Sequence, residues 1–219
     1  MLPFSAESLF AFIGNYNSTV WPAAAVAFLF GLIIPWFTKS RGNVLPRLSF
    51  LMIGSVWAWI GWVFYLTHFD PMFFGAPYYG AAFLIQGLLF VGAGLWAKTL
   101  NPIKTISSAL AIIIMLYAIV GYPLVDGYLT GAISEARFFG ISPAPSVLYT
   151  FGFLLLLPPR IALKMAIIPF VAAGAVAYEA LVLDLYRDLI VPAGAVVALI
   201  LKFQLLRVER QAKAVLIEG

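Results

Sequence analysis

SFLMIGSVWAWIGWVFYLTH (49–68), FDPMFFGAP (69–77) and YYGAAFLIQGLLFVGAGLWAK (78–98) decide the fold: a long apolar run, a short turn, and a second long apolar run. Each run is close to the ~20 residues a helix needs to cross a bilayer core, so the pair reads as a transmembrane hairpin. The first run ends in His68, the only histidine, and the second carries one glutamine, Gln86.

The same pattern recurs on both sides of the hairpin. Of 219 residues, 63% are hydrophobic and 10% charged, against about 25% charged in soluble domains. Such a surface belongs in lipid, and a mean hydropathy of +1.02 agrees. The net charge of +4 is spread over separate loops and forms no basic aromatic surface, so nucleic-acid binding has no support. With no cysteine there is no disulfide framework, thiol nucleophile or thiolate metal site. The opening MLPFSAESLF lacks the basic start and continuous apolar core of a secretory signal, and is expected to remain in the mature protein.

The expected fold is all-α: a polytopic membrane helical bundle of seven transmembrane helices, N-out and C-in, preceded by a short interfacial amphipathic helix. Residues 1–17 hold that helix, 18–206 the transmembrane domain, and 207–219 a cytoplasmic tail. Leu9, Phe12, Ile13 and Tyr16 follow helical spacing, with Ser5 as cap and Glu7 at the positive dipole end. The spans are predicted at 20–38, 49–68, 78–97, 104–124, 145–159, 164–183 and 187–206. The fifth, closed by Pro158 and Pro159, is a tilted short span or a half-helix. The fourth meets Gly121-Tyr122-Pro123, where proline bends or ends it.

Orientation follows from the cations. With the C-terminus inside, the inner segments hold Lys39, Arg41, Arg47, Lys98, Lys104, Arg160, Lys164, Lys202, Arg207, Arg210 and Lys213, leaving Arg137 and Arg187 outside. Every inner loop agrees with the positive-inside bias. Trp21, Tyr78, Tyr79 and Tyr122 near outer ends, and Trp36 and Trp96 near inner ends, suit aromatic belts. Gly87, Gly92 and Gly94, and Ala172, Ala173, Gly174 and Ala177, are small enough for close helix approach.

Few side chains carry chemistry. His68 reads either as a ligand to metal, haem or chlorophyll, or as an interfacial residue bonded to water or backbone. Gln86, about 12 Å into its span, reads as an interhelical hydrogen bond or a ligand contact. Glu179 reads as a cation site, a partner for Arg187, or an interfacial acid. These three, with Asn17 and Thr150, fall in the outer half and form the candidate ligand-binding set. No catalytic or metal-binding residue is assigned, and no cofactor is named. The chain has no phosphate-binding glycine loop, HExxH or GxSxG. Lys202 has no acid at its depth, which excludes a retinal protein.

Short patterns occur in a characteristic order: Tyr16-Asn17, Trp21-Pro22, His68-Phe69, Gln86-Gly87, Gly121-Tyr122-Pro123 and FFGISPAPS at 138–146. In these the chain resembles an uncharacterised bacterial family of multi-pass membrane proteins, domain of unknown function 6064. That resemblance implies no activity. Its pattern often has cysteine between the two prolines corresponding to Pro143 and Pro145; Ala144 stands here, so no thiol role exists at that loop. The expected function is a non-catalytic integral subunit packing laterally in a larger complex of the cell inner (plasma) membrane. Lipids and other membrane proteins are its expected partners, with a lipid or cofactor pocket in the outer half. The alternative is a small transporter or receptor for a neutral or weakly charged solute.

Overall fold

The computed structural model describes residues 3–96 and 106–218; Lys98 and Lys104 lie outside them. All regular elements described are helices. They are α1 (Ala6–Lys39), α2 (Val44–Trp59), α3 (Ala76–Trp96), α4 (Ile106–Leu116), α5 (Tyr122–Thr130), α6 (Pro143–Leu156), α7 (Pro159–Met165), α8 (Ile167–Val182) and α9 (Ile190–Glu218). Wider π-helical turns extend α2 over Ile60–Phe69 and join α4 to α5 over Tyr117–Gly121.

Five helical runs are long and apolar enough to cross a membrane: Ala6–Lys39, Val44–Phe69, Ala76–Trp96, Ser108–Thr130 and Tyr186–Ala212. The bent pair α7–α8, with a 52° angle at its break, makes a sixth. The remaining predicted span is α6, whose 14 residues reach only about 21 Å at 1.5 Å per residue, short of a ~30 Å hydrocarbon core. The molecule is thus an all-helical bundle with five or six helices of membrane-crossing length.

The separate interfacial helix expected over the first 17 residues is not separate. Residues 6–16 are the opening turns of the 34-residue α1, capped by Ser5 and Ser8. The polar run at 15–19 does not break it, because the Ser18 and Thr19 hydroxyls fold back onto the Asn15 carbonyl (2.7 and 3.0 Å). Likewise Gly121-Tyr122-Pro123 does not end the fourth helix. The backbone widens by one residue per turn and continues through α5 to Thr130, so the proline falls at the start of a new α-helical segment, where its missing N–H is tolerated.

α2 and α3 meet backbone to backbone. A Cβ added at Gly54 would lie 2.9 Å from the Gly87 carbonyl oxygen, and one at Gly61 2.8 Å from that of Gly80. Two glycine pairs one heptad apart therefore form the seam, the small-residue packing that membrane helices use. Gly94 faces Phe50 in the same seam, Gly92 faces Trp96 of its own helix, and Gly174 borders open space.

α6 is the axis. Every residue after Pro143 is buried, and α1, α2, α4, α8 and α9 pack around it. It starts at the Pro143 turn and stops because neither Pro158 nor Pro159 offers an N–H. Outside this packing, Trp21, Trp36, Trp62, Leu88 and Trp96 are exposed, as lipid-facing residues would be. Tyr122, expected in an aromatic belt, is instead buried, because its hydroxyl is tied to Asp188 (2.7 Å).

Inside a helix or just past its end, a proline offers no N–H to the carbonyl four residues earlier, and in lipid a freed carbonyl must find another donor. Three of these carbonyls are met by side chains from other helices. Pro35 frees Gly31, and Tyr149 Oη of α6 donates to it at 2.7 Å. Pro159 frees Leu155, which accepts from Lys202 Nζ of α9 at 2.8 Å; the same ammonium donates to Leu157 at 2.6 Å. Pro169 frees Met165, which accepts from Gln86 Nε2 of α3 at 3.1 Å. Lys202, which has no acid at its depth, is a clamp on the end of α6.

Candidate functional site

The end of the bundle that carries Asp126, Arg137 and Asp188 holds a buried ionic hub. Arg137 is in the connection between α5 and α6. Its Nε donates to Asp126 Oδ2 (2.7 Å) and Nη1 to Asp188 Oδ2 (2.6 Å); Nη2 reaches both Asp126 Oδ1 (2.9 Å) and Asp188 Oδ1 (3.0 Å). Its backbone N–H also donates to Asp126 Oδ2 (3.1 Å). Arg187 Nε donates to Asp126 Oδ1 at 3.0 Å. The Phe10 ring lies 5.2 Å from both guanidinium carbons. Burial opposes the Arg137 charge, but Tyr122, Asp126 and Asp188 outweigh it and hold its pKa well above the ordinary arginine value. Two arginines face two carboxylates, so the hub is neutral. It fastens α1, α5, the 131–142 connection and the turn before α9 together.

Against this hub lies a partly enclosed cavity of about 60 Å³. Its walls come from the start of α1 (Leu9, Ile13), the end of the α2 run (Phe64, Tyr65, Phe69), α3 (Tyr79, Phe83), α6 (Ala144, Val147) and α8 (Val176, Glu179), with Arg137 at one side. The volume suits a few waters or a small head group. Among the described residues, no hydrogen-bond donor meets the Glu179 carboxylate. Arg187, one expected partner for it, is engaged by Asp126 and, at 3.9 Å, by Asp188.

Of the five residues singled out from the sequence, Glu179 lines this cavity. The other four are engaged elsewhere. Asn17 Nδ2 donates to the carbonyls of Ser134 and Ala136 (2.8 Å each), pinning the 131–142 connection on α1. Beside it, Tyr16 Oη donates to Ile141 O (3.1 Å) and accepts from Trp59 Nε1 (3.2 Å). Thr150 Oγ1 donates to Ser146 O (2.8 Å) and accepts from Trp57 Nε1 (2.9 Å). Gln86 holds the α7–α8 bend. His68 Nδ1 is 2.8 Å from Val63 O, five residues back in the π-helical turns, and its ring packs 5.2 Å from that of Tyr16. Among the described residues no group of three His, Asp or Glu side chains converges on a metal position.

The ionic hub was not among the candidates read from the sequence. Asp126, Arg137, Arg187 and Asp188 look like ordinary loop charges there. One signal was present: Tyr122 and Asp126, four residues apart on one helical face, just before the connection that carries Arg137.

Residues 6–213 match the family described as a family of unknown function (DUF6064), and the chain belongs to that family. No curated protein and no solved structure matches the chain.

Proposed function

We propose that the protein is a non-catalytic, ligand-binding membrane protein whose site is the cavity at Glu179. One observation carries this reading: a carboxylate lines a cavity among apolar and aromatic side chains and meets no donor among the described residues. A membrane protein keeps such a group at a cost of several kcal/mol unless something compensates it. A bound ligand does so.

The placement that goes with this reading is seven crossings of the cell inner (plasma) membrane, N-out and C-in, with α6 completing the seventh as a short helix enclosed by protein. The positions of Lys39, Arg41, Arg47, Arg160, Lys164, Arg207 and Arg210 support it. The protein works as a subunit beside a larger membrane complex. Its apolar outer faces and the short connections between the described helices support that role. A carrier is the less favoured alternative, because inward from the cavity Phe83 stacks on Trp57 (4.3 Å) and Trp57 packs against Phe90 (6.2 Å).

Purified protein in mild detergent should gain thermal stability from a member of a broad solute and lipid panel, and Glu179→Gln should lose that gain. If no member of the panel shifts the wild type, the binding reading is wrong. Purification should also bring down a stoichiometric membrane partner; a clean monomer would remove the subunit role.

A further inference from the structure

We infer that the cavity takes the head of an alkylammonium amphiphile, whose hydrocarbon tail lies in the groove between α3 and α8. This rests on the ligand-binding reading above and names the class of ligand.

The charge balance sets the sign. Arg137 borders the cavity, but it is matched by Asp126 and Asp188, and with Arg187 as the second positive charge that set is neutral. The carboxylate at the cavity that stands outside this set is that of Glu179. An anion is repelled, and a neutral solute supplies at most a hydrogen bond without balancing the charge. A cation resolves it.

The wall sets the kind of cation. Phe64, Tyr65, Phe69, Tyr79, Phe83 and Tyr178 line the cavity. Aromatic faces attract organic ammonium groups, and the attraction grows when water is excluded. A hard metal ion needs several oxygen ligands, whereas here one carboxylate sits among rings.

The tail follows from what lies next door. A second, more open void of about 230 Å³ runs between α3 and α8, lined by Tyr78, Ala82, Ile168 and Val171 and otherwise by residues of the first cavity. Tyr79, Phe83, Ala172 and Ala175 border both. The groove is almost wholly apolar, kept open by the small side chains at 82, 172 and 175, and Tyr78 and Val171 on its rim are exposed where lipid would lie. An amphiphile entering from the bilayer would place its ammonium at Glu179 and its chain in this groove. A small free ammonium would leave the groove empty.

The test uses the full chain in dodecyl maltoside, with apparent unfolding temperature read against octylammonium, ethylammonium, octanol and octanoate. The expected result is a rise of several degrees with octylammonium, reached at concentrations at least tenfold below any effect of ethylammonium, and no rise with octanoate. Glu179→Gln should abolish the rise. Ala82→Phe, which fills the groove at a residue that does not line the first cavity, should weaken octylammonium and spare ethylammonium, so the inference stays testable if Glu179→Gln does not fold. Equal stabilisation by octanol, unchanged in Glu179→Gln, would overturn the ammonium head and leave a ligand cavity standing. Equal potency of ethylammonium and octylammonium would overturn the tail groove. No response to any of the four would overturn the inference, and no response to the broader panel would then overturn the binding reading as well.

Discussion

Gln86 Nε2 donates to the carbonyl of Met165, the oxygen that Pro169, four residues on, leaves without an amide partner. α8 bends 52° from α7 at this point, and a side chain from a helix far away in sequence supplies the hydrogen bond the bend removes. Gln86→Leu should therefore destabilise the protein by about 1–3 kcal/mol, the cost of an unsatisfied buried acceptor. In a Pro169→Ala background the restored N–H competes for the same carbonyl, and the Gln86→Leu penalty should shrink by half or more. Unfolding in mixed micelles for the four proteins of this cycle measures the coupling. A penalty that is the same in both backgrounds would refute the compensation.

Arg137 makes five hydrogen bonds to two carboxylates while nearly inaccessible. Removing one partner of a buried ionic set costs about 3–5 kcal/mol, because the other charges stay buried. Arg137→Ala should accordingly be among the most destabilising single changes in this region. Arg187→Ala should cost far less, since Arg187 is partly exposed and Asp126 keeps Arg137. Parallel denaturation of the two variants gives the ranking, and a reversed order would show that Arg187 is the principal counter-ion.

Much of the fold was legible because apolar length is a strong signal: residues 49–98 announce a hairpin whatever the neighbours do. The continuity of α1 was not legible. Asn15, Asn17, Ser18 and Thr19 read as an exit to the interface, and only a folded partner, the 131–142 connection that Asn17 holds, shows why polar residues belong there. The roles of Gln86 and Tyr149 were hidden for a related reason. Each answers a proline on another helix, Pro169 and Pro35, and sequence alone does not say which helices touch. Glu179 was legible as an acid within an apolar run. Its cavity was not, since the walls come from five separate segments of the chain.

The orientation can be read directly, because the chain has no cysteine and single thiols report cleanly. Asn43→Cys, in the exposed turn between α1 and α2, and Ser134→Cys, in the exposed part of the 131–142 connection, leave the basic residues intact. A membrane-impermeant maleimide applied to intact cells should label Ser134→Cys, and Asn43→Cys only after the membrane is opened. Labelling of both from the same side would overturn the N-out, C-in arrangement.

Gly87 and Gly174 are both helix-interior glycines, and their surroundings predict opposite signs. In an α-helix alanine is favoured over glycine by roughly 1 kcal/mol. At Gly174 an added Cβ meets nothing within 4 Å, so Gly174→Ala should be neutral or stabilising by up to about 1 kcal/mol. At Gly87 the same methyl would sit 2.8 Å from the Gly54 carbonyl oxygen and 3.0 Å from the Ala58 amide nitrogen. Neither is the end of a flexible side chain, so relief requires α2 and α3 to move apart along their whole seam, with loss of packing at Gly61–Gly80 too. Gly87→Ala should therefore destabilise by about 1–3 kcal/mol, the usual cost of overpacking. Combining it with Gly54→Ala should give less than the sum, because the helices need separate only once. Additive losses would mean that the two glycines do not share one close approach.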